Sequence, residues 1–249
     1  MRIIDTLQTE TVNARRQDTT FLPQGDVLVG QGDGVVTHNK DLRIFSSIQS
    51  LDGNGIQSTG PQLNFMLIGP EAEITSSGAY GRRGVNTRVE NFGIIVGEQT
   101  GLEISGGRLD PTLWIRNSGK IEGGTAIDVR DYMTIDNTAE GVISGTNENG
   151  AGLHLYTQAE LLNSGRISSE GTAVIIENAY NAYVENFGVI RGVDAAIESE
   201  GSYIGGSVIN RGLIVGKVVI STYDGRGGTV IGPVYGTDNA NRLVAGSEG

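Results

Sequence analysis

Apolar and polar residues alternate along most of this chain in short runs separated by turn residues. One series reads Leu102-Glu103-Ile104, Ile127-Asp128-Val129, Leu153-His154-Leu155, Val174-Ile175-Ile176 and Ile197-Glu198-Ser199. A second reads Leu113-Trp114-Ile115, Met133-Thr134-Ile135, Ala159-Glu160-Leu161 and Ala182-Tyr183-Val184. A period of two predicts half-buried β-strands, and the 3.6-residue period of a helix is absent throughout. Between the two series lies Asn-x-Gly-x-Ile. It stands at Asn91-Phe92-Gly93-Ile94-Ile95, Asn117-Ser118-Gly119-Lys120-Ile121, Asn163-Ser164-Gly165-Arg166-Ile167, Asn186-Phe187-Gly188-Val189-Ile190 and Asn210-Arg211-Gly212-Leu213-Ile214. A sixth copy, Asn137 to Ile143, carries two extra residues between Asn and Gly. The Asn-to-Asn steps are 26, 20, 26, 23 and 24 residues, a period that predicts a solenoid.

Three short strands and three turns in about 24 residues make a triangular coil. The expected fold is all-β: a right-handed, single-stranded parallel β-helix whose strands stack at ~4.8 Å from coil to coil. The motif residues then have separate tasks. Ile95, Ile121, Ile143, Ile167, Ile190 and Ile214 form an inward aliphatic column. The Asn residues sit at a corner, where stacked amides bond to one another along the axis. The Gly is expected to supply a positive-φ turn beside the Asn. Leu67 to Ile74 reads as a degenerate coil with Pro70 at the Asn position and Ala72 at the Gly position. Residues 1–25 are polar, lack the period and are expected to form an N-terminal cap or a loosely ordered lead-in. The β-helix is expected over 26–232 and a tail over 233–249.

The pattern apolar-x-Asn-x-Gly-x-Ile-x-Gly followed by Ala-Ile, over residues 67–232, resembles passenger regions of bacterial autotransporters. It also resembles the β-helical regions of secreted proteins with RTX (hemolysin-type calcium-binding) repeats. Tyr235-Gly236-Thr237-Asp238-Asn239-Ala240-Asn241-Arg242-Leu243-Val244-Ala245-Gly246 resembles the start of an RTX array, with Arg242 in place of the family's Asp and Ala245 in place of its first Gly. The calcium-binding nonapeptide does not occur uninterrupted. The resemblance implies an extracellular or cell-surface structural or adhesive module, exported through an uncleaved C-terminal signal. It implies calcium as the candidate cofactor and Asp238 as the candidate metal ligand.

Composition narrows the partners. The net charge is −11, so the surface repels phosphate backbones and nucleic acid is not expected as a partner. There is no Cys, which removes disulfides, thiolate metal sites and thiol nucleophiles together. The first ten residues contain no apolar core of a signal peptide, and no apolar run approaches the ~20 residues of a membrane span. Gly makes up 39 of 249 residues without a three-residue period, which fits turns repeated in every coil.

Neither a phosphate-binding Walker loop, a His-Glu-x-x-His zinc helix nor a Gly-x-Ser-x-Gly nucleophile elbow occurs. If the second strands stack in register, Glu103, Asp128, His154, Ile175 and Glu198 form an outward column, with Arg130 beside Asp128 and Tyr156 beside His154. Asp128, Arg130, His154 and Tyr156 are therefore the candidate catalytic residues. Groups of this kind serve β-helical polysaccharide lyases and uronate epimerases acting on acidic polysaccharide, where a base removes a proton α to a carboxylate. The alternative is a solvated polar face without chemistry. Trp114, between inward Leu113 and Ile115, points outward, either to stack on a sugar or to pack under a loop.

Overall fold

The computed structural model describes residues 2–14, 19–37, 41–58, 64–76, 80–84, 87–104, 113–130, 132–156, 158–178, 181–201, 206–237 and 242–244. Among them there are strands and turns but no helix, and hence no helix long and apolar enough to cross a membrane. The strands stack in parallel as a β-solenoid with three faces. Face 1 holds the strands that lead into each motif Asn, such as Met133–Asn137, Ala159–Asn163 and Ala182–Asn186. It is a sheet of 12 strands. Face 2 follows the motif Gly, as in Val142–Gly145 and Arg166–Ser169. Face 3 completes the coil, as in Ala151–Leu155 and Thr172–Glu177. Faces 2 and 3 merge because Ile94–Ile104 and Lys120–Val129 run unbroken round their shared corner, with a register shift between Gly97 and Thr100.

The expected Ile column is present. Ile95, Ile121, Ile143, Ile167, Ile190 and Ile214 pair in register and are fully buried. Val89, Ile115, Ile135, Leu161, Val184 and Val208 do the same on face 1. Each buried aliphatic side chain contributes ~1.5–3 kcal/mol, so repetition alone gives every coil a core.

The corner ladder is also present. The Asn91 amide donates to Asn117 Oδ1 at 2.8 Å, Asn117 to Asn137 at 2.9 Å and Asn137 to Asn163 at 2.8 Å. Asn163 donates to Asn186 at 2.7 Å and Asn186 to Asn210 at 2.9 Å. All six are fully buried, and every ladder bond runs in one direction along the axis. Beyond the last rung the Asn210 amide donates to the Thr229 carbonyl at 3.1 Å.

Two local expectations are corrected. The motif glycines are not at positive φ; those are Gly32, Gly201, Gly216, Gly227 and Gly232. The motif glycines are instead sites of close approach between coils. A Cβ on Gly119 would lie 2.0 Å from the Gly93 carbonyl oxygen, and one on Gly188 would lie 2.0 Å from that of Gly165. Nor does Pro70 occupy the Asn position of the degenerate coil. Ile68 does, paired with Asn91, and Ile44 pairs with Ile68 below it. The segment from Gly69 to Ala72 is a longer turn, like that after Asn137. Below Asn91 the ladder gives way to the apolar stack Ile68, Ile44 and Leu22, all fully buried.

The stacks cross the boundaries expected at residues 25 and 232. Val12–Ala14 pairs with Val35–Thr37, Thr19–Leu22 with Asp41–Ile44, and Val218–Ile220 with Val234–Gly236.

Candidate functional site

Face 3 carries the densest set of polar side chains. Alternate residues of a strand point outward, and parallel in-register stacking places equivalent positions above one another. Glu103, Asp128, His154, Ile175, Glu198 and Val219 follow each other in register, coil by coil. Two residues further along each strand, a second column contains Arg130, Tyr156, Glu177 and Glu200, with Glu177 and Glu200 directly paired.

The four sequence-predicted residues come together. Arg130 Nη2 donates to Asp128 Oδ2 at 3.1 Å, and the guanidinium lies 5.2 Å from the centre of the Tyr156 ring. Tyr156 in turn stacks on His154, with ring centres 4.0 Å apart and planes inclined by 27°. His154 Nε2 donates to Glu177 Oε2 at 3.0 Å, so the carboxylate, an acceptor only, places the imidazole proton on that nitrogen. The sequence reading omitted Glu177 and Glu200. Lys217 Nζ bonds Glu198 Oε1 at 2.9 Å two coils beyond His154.

The column is not a uniformly solvated face. Glu103 is 1% exposed and Asp128 8% exposed. Asp128 Oδ1 is buried and accepts no hydrogen bond. Burial raises the Tyr156 pKa above its ordinary value, and the carboxylates of Asp128 and Glu177 push it in the same direction. Tyr156 is therefore a neutral phenol at physiological pH, equipped to donate a proton or a hydrogen bond. The hydrogen bond to Asp128, with that carboxylate's charge, raises Arg130 further and keeps it cationic.

One imidazole nitrogen of His154 and one carboxylate oxygen each of Glu177 and Glu200 lie within 4.8 Å of one another. One imidazole nitrogen with two carboxylates suits a zinc-type ion with an open position. It falls short of the six to eight oxygens that calcium takes. Elsewhere Glu98, Glu148, Glu170, Thr146 and Asn147 line an open concavity of about 560 Å³ at the corner between faces 2 and 3, but their carboxylates do not converge as those beside His154 do. Asp238 lies outside the described residues.

Trp114 is half-buried on face 1. Its ring meets Phe65 at 6.2 Å between centres, with planes inclined by 59°, and its other side borders a groove. No family model matches the chain, and no curated protein or solved structure matches it.

Proposed function

We propose that this chain is an extracellular structural or adhesive β-solenoid module of a secreted, RTX-type bacterial protein. The observation that carries the reading is the unbroken ladder from Asn91 to Asn210, which fixes successive coils in one register. A stack fixed in this way is a stiff support. It presents outward side chains at a constant spacing of ~4.8 Å, the form a surface needs to hold a long ligand at many points. Polysaccharide and cell-surface polymers are ligands of that shape.

The test is retention of labelled, folded protein on immobilised polysaccharides and on whole cells. Saturable retention that disappears when the protein is heat-denatured supports the reading. Failure to be retained on every surface overturns the adhesive role.

A second reading, a polysaccharide lyase or uronate epimerase, is favoured by the assembly of Asp128, Arg130, His154 and Tyr156. In it neutral Tyr156 is the acid, His154 the base through its unprotonated Nδ1 while Glu177 holds the Nε2 proton, and Arg130 the partner of a substrate carboxylate. The surrounding Glu103, Asp128, Glu177 and Glu200 work against an anionic polymer, which ranks this reading second. It predicts ultraviolet-absorbing double bonds on incubation with polyuronates, lost in His154→Ala and Tyr156→Phe. No product across a broad polyuronate panel removes it.

A further inference from the structure

We propose that the groove beside Trp114 on face 1 binds an uncharged pyranose unit of a polysaccharide; this rests on the adhesive reading above. The outward positions of face 1 form two columns. In the first, Trp114, Thr134, Glu160 and Tyr183 follow in register. In the second, Glu90, Arg116, Asp136, Leu162 and Glu185 do so. Thr134 is the small member of its column. Its short side chain leaves a groove of about 430 Å³ between Trp114 and Leu162, with Arg116 and Asp136 along its edge. That volume lies within the ~300–1,000 Å³ of ligand sites.

The lining matches a sugar. A pyranose has an apolar C–H face and a rim of hydroxyls. The indole of Trp114 and the Leu162 side chain offer the apolar surface. Arg116 Nε lies 3.6 Å from Asp136 Oδ2, and both side chains are about half exposed, at 54% and 41%. Together they present donors and an acceptor side by side, the set that vicinal hydroxyls require. Phe65 backs the indole on the side away from the groove, so the ring is held in place before any ligand arrives.

Charge selects among sugars. The Arg116–Asp136 pair is electroneutral; around it Glu90, Glu160 and Glu185 outnumber Arg88, which precedes Trp114 in its column, and the chain carries −11 overall. An anionic uronate is repelled and a neutral hexose is not. The ~4.8 Å rise per coil is about the length of one sugar residue, so a polymer laid along the axis advances one residue per coil.

Trp114 is the chain's sole tryptophan, so its fluorescence reports on this groove. The probes are neutral β-1,4- and α-1,4-linked glucan hexasaccharides, with an oligogalacturonate of equal length as the anionic control. The expected result is a saturable change in emission with a neutral oligomer and none with the oligogalacturonate. Thr134→Leu fills the groove while leaving the indole in place, and is expected to weaken binding at least tenfold with an unchanged melting curve. Arg116→Ala should weaken it similarly. Emission indifferent to both neutral oligomers, a response stronger to the oligogalacturonate, or an undiminished response in Thr134→Leu overturns the proposal. Retention of the whole chain on polysaccharide surfaces separates the two readings. If Thr134→Leu is retained like the parent, the groove assignment falls and the adhesive role stands. If the parent is not retained anywhere, the adhesive role falls.

Discussion

Replacing Asn163 by Ala removes the middle rung of the corner ladder. Two ladder hydrogen bonds go with it, the one accepted from Asn137 at 2.8 Å and the one donated to Asn186 at 2.7 Å, beside longer donations to the Gly165 and Val189 carbonyls at 3.4 Å. Each contributes ~1 kcal/mol net. Asn137 retains carbonyl acceptors at Gly141 and Arg166 for its amide. Asn186 Oδ1, in contrast, loses its ladder donor in a fully buried position, which costs a further ~1–3 kcal/mol. The expected loss is ~3–5 kcal/mol. At ~2–4 °C per kcal/mol for a chain of this size, the melting temperature should fall by ~6–20 °C. Asn91→Ala, at the end of the ladder, loses one rung and leaves the buried Asn117 Oδ1 without its donor, and should cost ~2–4 kcal/mol by the same reckoning. Asn163→Asp should be worse than Asn163→Ala at neutral pH, because it buries a charged carboxylate that faces Asn186 Oδ1 without a donor, and should recover in acid, where a protonated carboxyl again carries one. Thermal and urea unfolding followed by circular dichroism measure all three. An Asn163→Ala effect within ~0.5 kcal/mol of the parent, the scale of a surface change, would refute the ladder as a source of stability.

Further predictions concern the glycines, alkaline pH and calcium. Gly119→Ala places a Cβ 2.0 Å from the Gly93 carbonyl and should lower the melting temperature by several degrees, whereas Gly30→Ala meets nothing within 4 Å and should be neutral or raise it slightly. Tyr223 is buried near the C-terminal end of the stack, and burial raises its pKa above 10.0. The folded state therefore favours the neutral phenol: its contribution is complete below the unfolded value and is lost as pH rises through the folded one. Melting temperatures measured upward from pH ~10 should fall less steeply in Tyr223→Phe than in the parent. If calcium organises the fold, adding it should raise the melting temperature relative to chelator; superimposable curves remove calcium from the account.

The regular coils were legible in the sequence because the same residue returns at the same place in each. Ile143 and Asn137 could be aligned with their equivalents despite the longer turn between them, since the flanking apolar residues fixed the register. The same kind of longer turn misled the reading three coils earlier. There Ile68 has replaced the Asn, so no polar residue marked the corner and Pro70 attracted the assignment instead. The task of the motif glycines was not legible, because a contact of Gly119 with Gly93 exists only once coils are stacked. At the candidate site, alternation correctly placed Asp128, Arg130, His154 and Tyr156 on one face. Glu177 and Glu200 were readable by the same rule, two residues beyond Ile175 and Glu198 as Arg130 and Tyr156 are beyond Asp128 and His154. The burial of Glu103 and Asp128 had no signature in the alternation, which marks a side chain as outward and says nothing of what covers it.

Size-exclusion chromatography of the protein mixed with a polysaccharide that retains it, followed by both polymer length and ultraviolet absorbance, separates holding from cutting in one experiment. The account predicts co-elution of protein and polymer, with polymer length and absorbance unchanged over prolonged incubation. Progressive shortening of the polymer with growth of absorbance, abolished in His154→Ala, would contradict it and make the face 3 cluster an active site.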